Sequence, residues 1–129
     1  MELDTPATAT NFKKLLLTAA AAAGDKRARL ALDVYIRAVR HYLGAFLVEL
    51  GGVDVVTFSG GIGENSAEVR AGVCAGLAEL GIVLDEERNR TVQGEGKISA
   101  DGSKAAVWVL PADEEIVVAR AVAEVLGGR

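Results

Sequence analysis

Between Lys26 and Leu50, apolar side chains recur at Leu32, Ile36, Val39, Leu43, Phe46 and Leu50, spacings of three and four that draw one stripe along a helix. Arg29, Arg37 and Arg40 mostly take the other faces, and Gly51 with Gly52 closes the run. Upstream, "FKKLLLTAAAAA" favours a second helix, capped by Asn11 and stopped at Gly24 and Asp25, while residues 1–10 lack any period and read as a mobile arm. "VDVVTF" is a β-branched run with little alternation, the pattern of a strand covered on both faces. Val69, Val73, Leu77 and Leu80 then mark an amphipathic helix ending at Gly81, with Asn65 and Glu68 spaced as a capping box at its start. "GIVLDEERNRTVQGEGKISADGSK" predicts a short strand and a polar surface excursion, and "AAVWVL" predicts another strand, broken by Pro111. "ADEEIVVARAVAEVLGG" closes the chain as a helix with acids in its first turn and glycines past its end.

Strands separated by helices predict an α/β domain with few parallel strands flanked by helices. Two strands leave sheet edges unpaired, so the pattern itself suggests that other strands are needed to complete the sheet.

Composition narrows the functional classes. A chain of 129 residues, half of them hydrophobic, with a mean hydropathy of +0.27, supports one well-packed domain but not a two-domain enzyme with its site in a cleft. A net charge of -4 with acids and bases interspersed leaves no electrostatic footprint for nucleic acid. "KKLLLTAAAAAG" loosely imitates an export signal, but Glu2 and Asp4 spoil its basic leader and its apolar run falls short of the ~18 residues that span a bilayer. No membrane role is expected. The single Cys74, on an apolar helix face, reads as a small core side chain in a reducing, cytoplasmic setting, and His41 as a solvated or interface side chain.

The candidate chemistry sits in "SGGIGENS", residues 59–66, between a strand and a helix, where free amides and missing β-carbons let a ligand approach the main chain. A Walker loop fails, because Glu64 and Asn65 stand where Lys and Ser or Thr are needed. A dinucleotide fingerprint fits in part, through Gly61, Gly63 and Ser66 with Asp85 about 20 residues on. A tight turn with an Asn65 cap accounts for the same residues without any ligand.

"DVVTFSGGIGENSAEVR" closely resembles the nucleotide-binding segment of acetate kinases, within the actin-like sugar-kinase superfamily. "AAAAAGDKRARLALDVYIRAVRHYLGAFLVELGGVD" before it, "AGLAELGIVLDEERN" after it and "VWVLPADEEIVVAR" near the end are similar to the family's C-terminal stretch in the same order, covering residues 11 to 127. The resemblance implies a partial ribonuclease-H-like (actin-like ATPase) domain over residues 11–129, the C-terminal nucleotide side of an enzyme that moves a phosphoryl group between ATP and a short carboxylate with magnesium. It implies that Gly61, Ile62, Gly63, Glu64 and Asn65 border the nucleotide adenosine. "PADEE" resembles the family's P-T-N-E-E and places Glu114 at the metal, with Asp113 standing where Asn is usual; by residue chemistry alone these acids are cap and dipole partners of a helix. Asn11, Phe12 and Lys13 replace the family's Asp-x-Arg, which removes an anionic acceptor and a planar guanidinium from the nucleotide side. The family's catalytic arginines, histidine and carboxylate pocket have no counterpart, so the implied partners are the nucleotide and either a missing N-terminal kinase portion or a homodimer partner. The expected alternatives are a non-catalytic scaffold module and a dinucleotide-binding module.

Overall fold

The computed structural model describes residues 16–112 and 114–127. Asn11, Phe12, Lys13, Asp113 and the arm over residues 1–10 lie outside the described residues. In chain order the elements are α1 (16–22), α2 (Lys26–Leu50), β1 (Val55–Phe58), α3 (Gly61–Asn65), α4 (Ala67–Cys74), a 3-10 turn (Ala78–Leu80), α5 (Glu86–Thr91), β2 (Gly96–Lys97), β3 (Ala106–Val109) and α6 (Glu114–Gly127).

Asp25 ends the first helical segment and starts the second, its carboxylate accepting from the amides of Arg27 at 2.8 Å and Ala28 at 3.1 Å. At the far end Gly51 turns left-handed, and the amides of Gly51 and Gly52 satisfy the last free carbonyls of α2 at Val48 and Leu47. The predicted stripe is buried at Leu32 and Ile36 and half-buried at Val39 and Leu43. It fails at Phe46 and Leu50, which are 60% and 73% exposed. The cause is length: 25 residues of helix run about 37 Å, whereas the eight residues of α4 against which α2 packs run about 12 Å.

The helices α2 and α4 approach closely because Gly72 has no side chain, a β-carbon there falling 2.7 Å from Ile36 Cδ1. Arg40 spans the same seam and donates from Nη1 to the carbonyls of Val73 and Ala75, both at 2.7 Å, at the C-terminal end of α4. Val69, Val73, Ile82, Ile98, Val107 and Val109 join Leu32 in one core.

The sheet order is β1-β3-β2. As expected, β1 and β3 are parallel, registering Val55 with Ala106 through Phe58 with Val109. The antiparallel β2, pairing Gly96 with Val109 and Lys97 with Trp108, departs from the expected all-parallel sheet. It lies inside the predicted surface excursion, while the strand expected from "GIVL" is reduced to one bridge between Leu84 and Ser99. Asp85 ends that strand by accepting from the Arg88 amide at 2.9 Å, which starts α5.

Three local expectations are corrected. The cap of α4 is Ser66, whose hydroxyl accepts from the Val69 amide at 3.2 Å; Asn65 instead donates to the Gly61 carbonyl and Glu68 pairs with Arg29. The predicted helix through Leu80 stops at Cys74, because Gly76 turns to φ +70 and the chain resumes only as the 3-10 turn. Finally, β1 is covered on one face only, alternating from Val55, 52% exposed, to buried Phe58.

Among the described residues no helix is long and apolar enough to cross a membrane. Cys74 is buried as expected, and loss of hydration pushes its thiol from 9.0 up to about 11 against the opposing pull of the Arg40 charge. The folded state therefore retains the proton after the unfolded chain has lost it. Its contribution to stability is complete below pH 9.0 and is lost as pH rises through about 11. Urea unfolding is expected to lose about 2 kcal/mol more over that window in the wild type than in Cys74→Ala; equal pH profiles would contradict it.

Candidate functional site

The ladder between β1 and β3 ends where the Leu110 amide donates to the Phe58 carbonyl at 2.9 Å. Beyond that bond the two chains diverge, one through Ser59 and Gly60 into α3, the other through Pro111 and Ala112 towards α6. The site is thus at the carboxyl ends of two parallel strands, the edge at which open α/β sheets receive ligands.

Gly60 makes the turn. Its φ is +67, and no atom lies within 4 Å of where a β-carbon would stand, so its main chain is both glycine-specific and open. Gly61 follows at φ +32, and the Gly60 carbonyl accepts from the amides of Gly63 at 2.9 Å and Glu64 at 3.4 Å to start α3. The side chain of Ile62 is buried and anchors this turn in the core, leaving its main chain as the part a ligand could meet. Gly63 packs on the end of β1, where a β-carbon would sit 3.6 Å from Phe58 Cβ, an ordinary contact. Exposed Asn65 folds back, donating from Nδ2 to the Gly61 carbonyl at 2.8 Å. Glu64 joins the two diverging chains, its Oε1 accepting from the amides of Gly60 at 2.6 Å and Ala112 at 2.7 Å.

Beneath this turn lies Arg70, only 2% exposed. Its Nη1 donates to the carbonyls of Gly63 at 2.9 Å and Glu64 at 2.7 Å, its Nε to Asn89 Oδ1 at 2.7 Å and its Nη2 to the Asn89 carbonyl at 2.8 Å. Asn89 Nδ2 completes the ring by donating to the Ala67 carbonyl at 2.9 Å. Burial lowers the pKa of this guanidinium from its ordinary value, without bringing deprotonation into reach. A solvent-open cleft of about 310 Å³ adjoins the turn, with Glu64, Asn65 and Arg70 on one side and Arg90, Val92 and Gly94 on the other.

The structure therefore brings Gly61, Ile62, Gly63, Glu64 and Asn65 together as one helical turn, with the start of α6 at Glu114 two residues beyond the Ala112 contact. Among the described residues no three His, Cys, Asp or Glu side chains converge as a metal cluster. Asp85 stands apart from the turn as the cap of α5. Sequence reasoning passed over Gly60, which makes the left-handed turn at φ +67, and over Arg70 and Asn89. The only signal for the last two was an Arg flush against Val69 on a helix face otherwise destined for the core.

The sequence pattern of the Acetokinase family matches residues 8–120. Acetate kinase of Bacteroides fragilis is 48% identical over 103 residues, which are 80% of this chain and 26% of that protein. Acetate kinase of Chloroherpeton thalassium is 43% identical over 113 residues, 86% of this chain and 27% of that protein. Among solved structures, acetate kinase of Porphyromonas gingivalis superposes with a TM-score of 0.76 at 39% identity, covering 85% of this chain and 28% of that one. A propionate kinase from Francisella tularensis gives a TM-score of 0.72 at 29% identity, covering 82% and 27%.

The two glycines of the turn are expected to respond differently to a methyl group. Gly60→Ala forces a β-carbon into a left-handed backbone and should lower stability in urea by about 1–2 kcal/mol. Gly63→Ala meets only ordinary contact in a helical position and should change it by less than about 1 kcal/mol. Equal losses at the two positions would contradict the assigned roles.

Proposed function

Because the chain belongs to the acetokinase family and spans about a quarter of the length of the curated acetate kinases it matches, we propose that it is the C-terminal, nucleotide-side part of an acetate kinase. The reaction it serves passes a phosphoryl group from ATP to acetate, giving acetyl phosphate and ADP. Such a transfer rests on positioning and on neutralising charge. The observation that supports the reading best is the open main chain at Gly60, set at the carboxyl ends of two parallel strands.

In this reading Gly61, Ile62 and Gly63 present main chain to the adenosine, Asn65 borders it and Glu64 braces the turn that they form. Glu114 would hold magnesium through its carboxylate, and the ion would supply charge neutralisation at the phosphates. In this reading the rest of the machinery, which answers the charge that develops on the transferring phosphoryl group, comes from an N-terminal kinase portion. A covering partner, that portion or a second copy, is favoured by β1 at the edge of the sheet and by the exposed Phe46, Leu50 and Val55. The cytoplasm suits the buried, protonated Cys74.

The same exposed apolar residues favour a second reading, a scaffold derived from the kinase that assembles without binding nucleotide. The dinucleotide module is third, and the carboxylate it needs at Asp85 already caps α5.

Calorimetry with magnesium ADP separates these readings. Saturable binding by the chain is expected, and in a separate assay with magnesium ATP and acetate no acetyl phosphate should form until the remaining portion of an acetate kinase is added. Absence of binding at millimolar nucleotide would leave the scaffold, and binding of NAD in its place would favour the third reading.

A further inference from the structure

The sequence motif places Glu64 beside the nucleotide, but its geometry points to different work. Past the last ladder bond at Leu110, Pro111 has no amide hydrogen, so Ala112 carries the first free donor on that chain. On the neighbouring chain the turn leaves the Gly60 amide outside the bonds of α3, as the starts of helices do. One oxygen, Glu64 Oε1, accepts from both amides at 2.6 and 2.7 Å. An ionised carboxylate suits this position because it accepts several charge-assisted bonds at once. Its reach is set by α3, which places residue 64 one helical turn beyond residue 60, and by Arg70, which holds the Glu64 carbonyl at 2.7 Å.

We infer that Glu64 is a positioning residue, a latch that holds the open turn at Gly60 in fixed relation to the Pro111–Ala112 segment leading into Glu114. The inference rests on the proposed nucleotide site for its consequence, not for its geometry. The two strands meet the ligand through separate loops, and among the described residues no ladder bond joins those loops beyond Leu110. With the latch closed, the main chain offered to the nucleotide and the Pro111–Ala112 segment move as one body. With it open, each loop moves on its own strand. The nucleotide would then still find the Gly60 turn, but the contribution of magnesium to binding would fall.

The test uses the 129-residue chain and two variants, Glu64→Ala and Glu64→Gln, with two readouts. Amide hydrogen exchange followed by NMR should quicken at both Gly60 and Ala112 in Glu64→Ala, by about 10- to 100-fold, as expected for loss of a bond to a charged group. Glu64→Gln keeps a carbonyl acceptor of the same length and should fall between the wild type and Glu64→Ala. In parallel, ADP is titrated with and without magnesium. Glu64→Ala should reduce the magnesium-dependent gain in affinity by about tenfold, while affinity for ADP alone changes less than threefold. Loss of affinity for ADP alone with unchanged exchange at Ala112 would overturn the latch and restore Glu64 as a ligand contact. Faster exchange with an unchanged magnesium gain would overturn its positioning role. A wild-type chain that binds no ADP would defeat the nucleotide reading, and the exchange rates would then decide the latch by themselves.

Discussion

The buried guanidinium of Arg70 is the constraint on which the rest of the candidate site depends. Removing a cation from water is costly, and the cost is offset only where the donors find well-placed acceptors. Arg70 finds four uncharged oxygen contacts, on Gly63, Glu64 and both oxygens of Asn89. Two of these are the terminal carbonyls of α3, which a helix end leaves without internal partners and which carry the negative end of its dipole. A five-residue helix has little stability of its own, since nucleation fixes several residues for a single bond. Arg70 therefore supplies from α4 what α3 lacks, and Asn89 ties both to α5.

From that anchor the functional geometry follows outward. With its end held, α3 seats Ile62 in the core, lays Gly63 on Phe58 and turns Glu64 back towards Gly60 and Ala112. The main chain at Gly60 stays open, at a position where a side chain would be strained. The same economy explains why the domain looks unfinished elsewhere. Its α2 outruns the core that it covers, β1 pairs only with β3 among the described residues, and apolar side chains are exposed at both places. The chain spans about a quarter of the length of its curated relatives.

Elements governed by period and by strong punctuation were legible in the sequence. The stripe and the paired glycines defined α2, the β-branched runs located β1 and β3, and the glycine turn fell between strand and helix where its residues implied. What escaped was decided by competition between near neighbours or by partners distant in sequence. Asn65 and Ser66 are both good caps, and only the carbonyl of Gly61 within reach of Asn65 shows why Ser66 won. A helical period continued through Gly76 on paper, yet the left-handed turn there ended α4 early. β2 is two residues long and exists because β3 offers it an edge. Arg70 was passed over, because its main partner Asn89 lies nineteen positions on.

The central claim is that Arg70 and Asn89 act as a unit in holding α3. A double-mutant cycle of Arg70→Lys and Asn89→Ala, measured by urea unfolding, tests it most directly. The account predicts a coupling energy of about 1–3 kcal/mol, because either change alone already breaks the shared network. Additivity of the two losses to within about 0.5 kcal/mol would contradict it.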